Sequence, residues 1–210
     1  MNAPRGRPRS FDRAAALDRA LEVFWAKGYD ATQVADLTAA LGIRPPSFYA
    51  AFESKEALFR EAVNRYLGTV GDQTIRVLEE SPHLRDAVAG MFEASIEVAL
   101  AAPAGGCLLI LGIVHRTPGN AALCDWLASI RASNVQSIRL RLQAAVAAGE
   151  WPDAATVEPA VSFLASMLQG LSLRARDGAT RQQLSDAVAM TMTLFDAMAA
   201  RPRARTGARK

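Results

Sequence analysis

Side chains that can contact nucleic-acid bases are concentrated in a short part of the sequence. Arg44 could bind a guanine through two hydrogen bonds or could instead contact a phosphate, and both alternatives stay open. Ser47 and Gln33 can each hydrogen-bond to bases. Nearby apolar residues could contact a thymine methyl group, namely Pro45, Pro46 and Ala50. These residue types predict recognition of a base sequence.

Both ends of the chain are basic, although the formal net charge is only +3. The first ten residues contain Arg5, Arg7 and Arg9 and no acidic residue, and the last ten contain five Lys/Arg and none. Residues 67–200 instead carry nine basic and thirteen acidic residues. Arginines on a Gly/Pro-containing arm can enter the minor groove, where narrow A·T stretches attract them. The alternative is a pair of solvated tails.

Residue patterns that would predict an enzyme are missing. There are two histidines, His83 and His115, and neither has the spacing of an acid/base pair or a metal site. Cys107 and Cys124 show no metal-ligand spacing. We find no Gly-rich phosphate loop and no nucleophile elbow. The sequence therefore predicts a protein that is not an enzyme and that needs no cofactor or metal.

The potential base-contacting residues lie in a predicted helix-turn-helix. A first helix should run from about Asp12, its N-cap, to Lys27, and end at Gly28. A second should start after Thr32, whose hydroxyl is a plausible N-cap, and end at Gly42. Two helices joined by a tight turn containing glycine describe this motif.

The third predicted helix starts at Arg44-Pro45-Pro46, where proline is tolerated because the first N–H groups of a helix have no partner within it. Phe48 and Phe52, four residues apart, should face inward, and Ser47, Tyr49 and Ala50 outward. We include Phe48 among the predicted DNA-contacting residues of this helix. Ser54 should cap a fourth helix.

The rest of the chain is also predicted to be helical, so the fold class is all-α. The predicted segments are 69–79, 84–101, 106–115, 120–148, 156–177 and 181–199. They are separated by breaks rich in glycine and proline, of which one includes Pro103. Thr180 and Gln183 fit a capping box at the start of the last helix. The predicted organisation is a basic arm (1–9), a helix-turn-helix domain (10–66), a larger helical domain (67–200) and a basic tail (201–210).

The stretch from Phe11 to Leu67 resembles the DNA-binding domain of the TetR (tetracycline-repressor-like) family of bacterial regulators. The matching landmarks are Phe24, Gly28-Tyr29, Ala31-Thr32, Gly42-Ile43, Tyr49, Phe52, Ser54-Lys55-Glu56 and Leu58. The resemblance implies an all-helical homodimer that represses transcription and whose larger domain binds a small molecule. Activation, or regulation without any ligand, are the alternatives.

By the family pattern, the Tyr49 hydroxyl would contact a phosphate. Lys55 would contact another, helped by the N-terminal dipole of the fourth helix. Thr32 could also contact a phosphate, although a purely capping role is as good an interpretation. The Pro45-Pro46 start departs from many family members, which have a small residue or glycine there, so relatives do not predict the operator. Double-stranded operator DNA is the predicted partner.

A second copy of the chain is the other macromolecular partner that we expect. The last two predicted helices are apolar on more than one face, and such helices must be covered nearly all round. A dimer could supply the cover; the alternative is a fully internal helix pair. The predicted dimer residues are Val161, Leu164, Leu168, Leu171, Leu184, Val188, Met192 and Phe195.

A small ligand is predicted to be apolar and largely uncharged, because the middle helices contain few aromatic residues and no clustered charge. Plain core packing is the alternative for every candidate lining residue, and a cavity of several hundred Å³ would favour a ligand. The candidates are Phe92, Ile96, Leu109, Ile113, His115, Trp126, Ile130, Phe163 and Met167.

Cys107 follows a Gly-Gly turn at a predicted helix start, where the pKa of a thiol can fall. A redox-sensing thiol is one interpretation, and a buried structural cysteine is the other. We find no targeting signal and no apolar run long enough to cross a membrane, so the expected location is cytoplasmic.

Overall fold

A computed structural model describes residues 12–102 and 104–200, and within these ranges it contains helices and no strands. The all-α prediction is confirmed. The α-helices are α1 (Arg13–Ala31), α2 (Val34–Leu41), α3 (Pro45–Phe52), α4 (Lys55–Tyr66), α5 (Gln73–Glu80), α6 (Leu84–Ala101), α7 (Leu108–Leu111), α8 (Ala121–Ala148), α9 (Val157–Arg176) and α10 (Arg181–Ala199). A π-helical turn, Leu67–Gly71, joins α4 to α5, and a 3₁₀ turn, Ala154–Thr156, precedes α9.

Predicted caps at both ends of the described chain are present. The Asp12 carboxylate accepts from the N–H groups of Ala14 and Ala15 at the start of α1. Thr180 and Gln183 form the reciprocal capping box of α10. These caps satisfy N–H groups that no carbonyl within the helix can reach.

Glycine ends α1 and α2 as predicted, by adopting backbone angles that other residues avoid. Gly28 has φ 75° and ψ 170°, so the helical path is interrupted there although residues 29–31 turn again. Gly42 is left-handed, and the Ile43 N–H donates to the Thr38 carbonyl across the turn. The α2–α3 geometry of a helix-turn-helix follows from this turn.

The apolar core forms two clusters. The first joins α1–α4 to residues 98–113 and to the beginning of α8, and its largest members include Phe24, Phe52, Phe59 and Tyr66. The second lies among α5, α6, α9, α10 and the remainder of α8. The core of the N-terminal helices therefore continues past residue 66 into the larger region.

Candidate nucleic-acid interface and ligand cavity

Helix α3 is held against the N-terminal core by its two phenylalanines. Phe48 is fully buried and Phe52 nearly so, and their rings pack 5.9 Å apart. The outward side of the same helix and its N-cap form a continuous exposed surface, which we call the recognition face: Arg44, Pro45, Pro46, Ser47, Tyr49 and Ala50. One short helix thus presents every one of these residues to solvent.

Tyr49 has the exposure that a phosphate contact requires. The residue is 52% exposed, and its ring packs edge-on against Phe48 with centroids 5.3 Å apart. The buried ring of Phe48 positions the Tyr49 ring and leaves its outward side free. Gln33 is exposed too, at the N-cap of α2, where its backbone N–H donates to Asp36.

Two side chains predicted to contact DNA, those of Thr32 and Phe48, are buried in the structure. Thr32 is fully buried, and its hydroxyl donates to the Gly28 carbonyl at 2.6 Å, so its side chain does not cap α2. Gln33 is the N-cap instead. Phe48 fills the core under the recognition face and cannot touch a base.

Lys55 has structural partners that the sequence did not reveal. Its ammonium donates to the carbonyls of Tyr29 and Thr32, at 3.0 and 2.9 Å, and lies 4.2 Å from the centre of the Tyr29 ring. Burial lowers the pKa of this ammonium. Two of its three N–H donors are therefore used inside the domain. Only the third donor and the backbone at the start of α4 remain for the predicted phosphate contact.

Arg5, Arg7 and Arg9, predicted to contact DNA, lie outside the described residues, as do the basic tail and Pro103. Within the described helix-turn-helix, Arg44 is the one basic residue on the recognition face.

A cavity with about 80 Å³ of free space lies in the larger region, between α5, α6, α8 and α9. That is smaller than the several hundred Å³ that we set as the size favouring a ligand, so this expectation is not met, and only a small ligand fits this conformation. The described residues that line it are Tyr66, Gly71, Thr74, Ile75, Ser95, Val98, Cys107, Leu109, Ile110, Arg131, Asn134, Val135, Ile138, Ala165, Leu168 and Gln169.

Of the predicted ligand residues, Leu109 alone is among those lining residues. The others have different surroundings because apolar periodicity does not distinguish a cavity wall from a filled core. Three are core residues, Phe92, Ile96 and Ile113. His115 is exposed. Four are partly buried against the two clusters: Trp126, Ile130, Phe163 and Met167.

The residues between α6 and α8 connect the cavity to the N-terminal helices, and we call residues 105–113 the junction segment. The Trp25 indole N–H donates to the Gly106 carbonyl, and the Tyr29 N–H to the Gly112 carbonyl, both at 2.7 Å. On the other side, the Cys107 N–H donates to the Ser172 hydroxyl at 2.7 Å. The junction segment is therefore bonded both to α1 and to α9.

The Cys107 thiol does not have the properties of a reactive thiolate. Its sulfur lies 3.1 Å from the Tyr66 hydroxyl, and burial raises the pKa of the thiol. The fall in thiol pKa that the helix start suggested is absent, because desolvation outweighs the hydrogen bonds.

Most of the predicted dimer residues belong to the chain's own core. Val161, Leu164, Leu171, Leu184, Met192 and Phe195 are buried, and Leu168 and Val188 are partly buried against the same cluster. The assignment of the six buried residues to an interface is therefore corrected. The apolar side chains exposed on α9 and α10 are Leu173, Met190 and Leu194, with Met190 the most exposed at 71%.

No group of His, Cys, Asp and Glu within residues 12–102 and 104–200 is arranged to hold a metal ion. In the same ranges, no helix has both the length and the apolarity needed to cross a membrane.

Comparison with known proteins gives matches over nearly the whole chain. Residues 16–62 match the sequence model of the bacterial regulatory proteins of the tetR family. The chain is 34% identical over 194 residues to the HTH-type transcriptional repressor ComR of Escherichia coli (strain K12), covering 91% of this chain and 92% of that protein. It is 30% identical over 198 residues to the repressor BdcR of the same organism, covering 88% and 89%.

Among solved structures, the chain resembles a cysteine mutant of the TetR family transcriptional regulator CifR complexed with a 26-base-pair double-strand operator DNA. The TM-score is 0.84 with 38% sequence identity, and the match covers 90% of this chain and 100% of that one. A transcriptional regulator from Chloroflexus aurantiacus, at 22% identity and a TM-score of 0.76, shares the fold.

Proposed function

Because the chain belongs to the tetR family of bacterial regulatory proteins, which are DNA-binding regulators and not enzymes, we propose that it represses transcription by binding a palindromic operator as a homodimer. The observation that carries this proposal is the recognition face, exposed on a helix whose opposite side is anchored by Phe48 and Phe52. A helix presented in this way can enter the major groove. The relatives ComR and BdcR are named as repressors, and CifR is solved on operator DNA.

The contacts divide by chemistry. Arg44 and Ser47 read base edges, with Gln33 beside them, while Tyr49 and the start of α4, with the third donor of Lys55, bind phosphates. Pro45, Pro46 and Ala50 supply apolar contact. Arg5, Arg7 and Arg9 add charge that the recognition face lacks, and they bind the adjacent minor groove or backbone.

The homodimer forms through the exposed apolar side of α9 and α10, where Leu173, Met190 and Leu194 lie. Leaving these side chains in water is unfavourable, and a two-fold contact between copies covers them. Two-fold symmetry places the two recognition helices in half-sites about 34–36 Å apart, or a multiple of it, when one dimer binds alone.

Release from the operator is caused by a small ligand in the cavity. The support is that the cavity shares residues with the junction segment, which is bonded to α1 through Trp25 and Tyr29. A ligand that fits one arrangement of this segment better than another shifts the N-terminal helices between two positions. Most of the wall is apolar, which favours a ligand with an apolar body.

The test is footprinting of the purified protein on DNA from upstream of its own gene and its neighbours, at two salt concentrations. We expect a protected palindrome that weakens with salt. Tyr49→Phe should lower affinity about tenfold, because it removes one hydrogen bond to a charged group. Arg85→Gln, which removes an exposed ion pair with Asp196 on α10, should leave affinity unchanged. If the protein binds no fragment of its genome more tightly than random DNA, the proposal is contradicted.

A further inference from the structure

Arg131 of α8 is a cation in the cavity wall. The residue is half-buried, and one Nη1–H donates to the Leu109 carbonyl at 2.6 Å. Within the described residues its guanidinium makes no ion pair and no other hydrogen bond. Because a guanidinium has five N–H donors, four of them have no acceptor among the described residues.

The surroundings of Arg131 do not compensate its charge. No carboxylate is among the described residues that line the cavity. The two other ionisable groups in the wall, Cys107 and Tyr66, stay protonated at neutral pH, because burial raises the pKa of both. A half-buried cation without an anion is unfavourable, and an anion entering the cavity would relieve this.

Many other arginines of the described chain have partners that Arg131 lacks. Seven of them, unlike Arg131, are bonded to carboxylates on the surface: Arg13, Arg60, Arg65, Arg85, Arg116, Arg139 and Arg181. Arg141 lies further along α8 and is also half-buried. It donates to the carbonyls of Ser81 and Pro82 and does not line the cavity. Arg131 is thus half-buried, lines the cavity and has N–H donors without a protein acceptor.

The rest of the cavity determines what else the anion must be. Asn134 and Gln169 add amide groups, and Ile75, Ile138 and Leu168 are among the apolar walls. With about 80 Å³ of free space, the cavity has room for about three water-sized groups. We propose that the ligand is a small amphipathic anion, whose acidic group binds the Arg131 guanidinium and whose apolar body lies against these walls. This inference rests on the proposed ligand-responsive function.

The same geometry gives the anion a route to the DNA-binding helices. An acidic group that pairs with the remaining N–H groups of Arg131 draws the guanidinium toward itself, so binding lengthens the hydrogen bond to the Leu109 carbonyl that ties α8 to the junction segment. The junction segment is bonded to α1 through Gly106 and Gly112. Loosening it changes the support of the N-terminal helices without any ligand contact to them.

The test uses the full-length protein and matched neutral probes. Straight-chain carboxylates of two to four carbons are compared with their primary amides by calorimetric titration and thermal unfolding. At least one carboxylate should bind about tenfold or more tightly than its amide, because only the acid makes a charge-assisted pair. Arg131→Met should abolish this preference, and the matched variant Arg141→Met should keep it.

Three results would overturn the inference: no carboxylate binding to the original protein, equal binding of acids and amides, or unchanged acid binding by Arg131→Met. If Arg131→Met does not fold, Arg131→Lys decides. It keeps the charge but not the planar fork, so acid binding should weaken about tenfold, and unchanged affinity counts against the proposal. Operator binding without probe is measured separately; its absence would contradict the repressor function and leave the carboxylate result standing.

Discussion

At the residue scale, the identity of a side chain did not determine its role; its partners did. Lys55 has the position and charge of a phosphate contact, yet its ammonium is directed at two carbonyls that end the first helical region. Thr32 has the type and place of an N-cap, yet it is fully buried. Tyr49 packs its ring against the buried ring of Phe48 and stays exposed.

Lys55 should therefore contribute to stability as well as to DNA binding. We expect Lys55→Met to destabilise the protein by about 1–3 kcal/mol, because the carbonyls of Tyr29 and Thr32 lose a charged donor. Lys27→Met is the control, since it removes an exposed ion pair with Asp36, a type of pair that contributes little. Urea unfolding measures both. Equal, small effects of the two variants would mean that the Lys55 bonds do not hold the domain together.

At the element scale, helix existence was predicted well and helix ends less well. The predicted 84–101, 120–148 and 181–199 agree with α6, α8 and α10 to within a residue. The predicted 106–115 contracts to the four residues of α7, because Gly105 and Gly106 have positive φ and lie against α9. The helical path does not end at Gly68, because the π-helical turn Leu67–Gly71 joins α4 to α5.

Gly28 is an element boundary at which a side chain should destabilise the protein. Its φ of 75° with ψ 170° is open to glycine almost alone, and a Cβ there would meet the Gly112 carbonyl at 3.2 Å. We expect Gly28→Ala to lower stability by about 1–3 kcal/mol. Gly68→Ala is the matched control: its Cβ meets nothing within 4 Å, and alanine should be neutral or stabilise by up to about 1 kcal/mol. Thermal unfolding that gives both variants the same midpoint would refute this account of the turn.

At the scale of the whole molecule, assembly depends on the surface left after the chain has packed its own core. Helices α9 and α10 are apolar on more than one face, and most of these residues pack in or against the second cluster, whereas Met190 and Leu194 of α10 stay exposed. The basic residues at the chain ends are the other whole-molecule feature, because the recognition face itself has little charge.

Met190→Glu should dissociate the proposed dimer. A carboxylate in a covered apolar contact is desolvated without a partner, so the dissociation constant should rise by about thirtyfold or more. Leu140→Glu, a similarly exposed apolar position on α8, is the control and should leave the mass unchanged. Light scattering after gel filtration measures both proteins. A dimer that survives Met190→Glu but not Leu140→Glu would place the interface elsewhere.

Deleting residues 1–10 should weaken operator binding and flatten its salt dependence. Arg5, Arg7 and Arg9 release about one counterion each when they bind phosphates, so the slope of log affinity against log salt should fall by about three per protomer. Deleting residues 201–210, which contain five basic residues and no acidic one, is the comparison. An unchanged slope after the N-terminal deletion would show that this arm does not contact DNA.

The sequence by itself determined the all-α class, most helices, the caps of α1 and α10 and the helix-turn-helix, because these depend on local periodicity and on glycine, proline and capping residues. It also determined which residues of α3 face outward, since Phe48 and Phe52 are one helical turn apart. Only the tertiary structure decided that Arg131 faces a cavity, that Lys55 binds carbonyls, and which apolar residues of α9 and α10 stay exposed. Those outcomes depend on contacts between residues far apart in the chain, such as Arg131 with Leu109 and Trp25 with Gly106, and no local pattern encodes them.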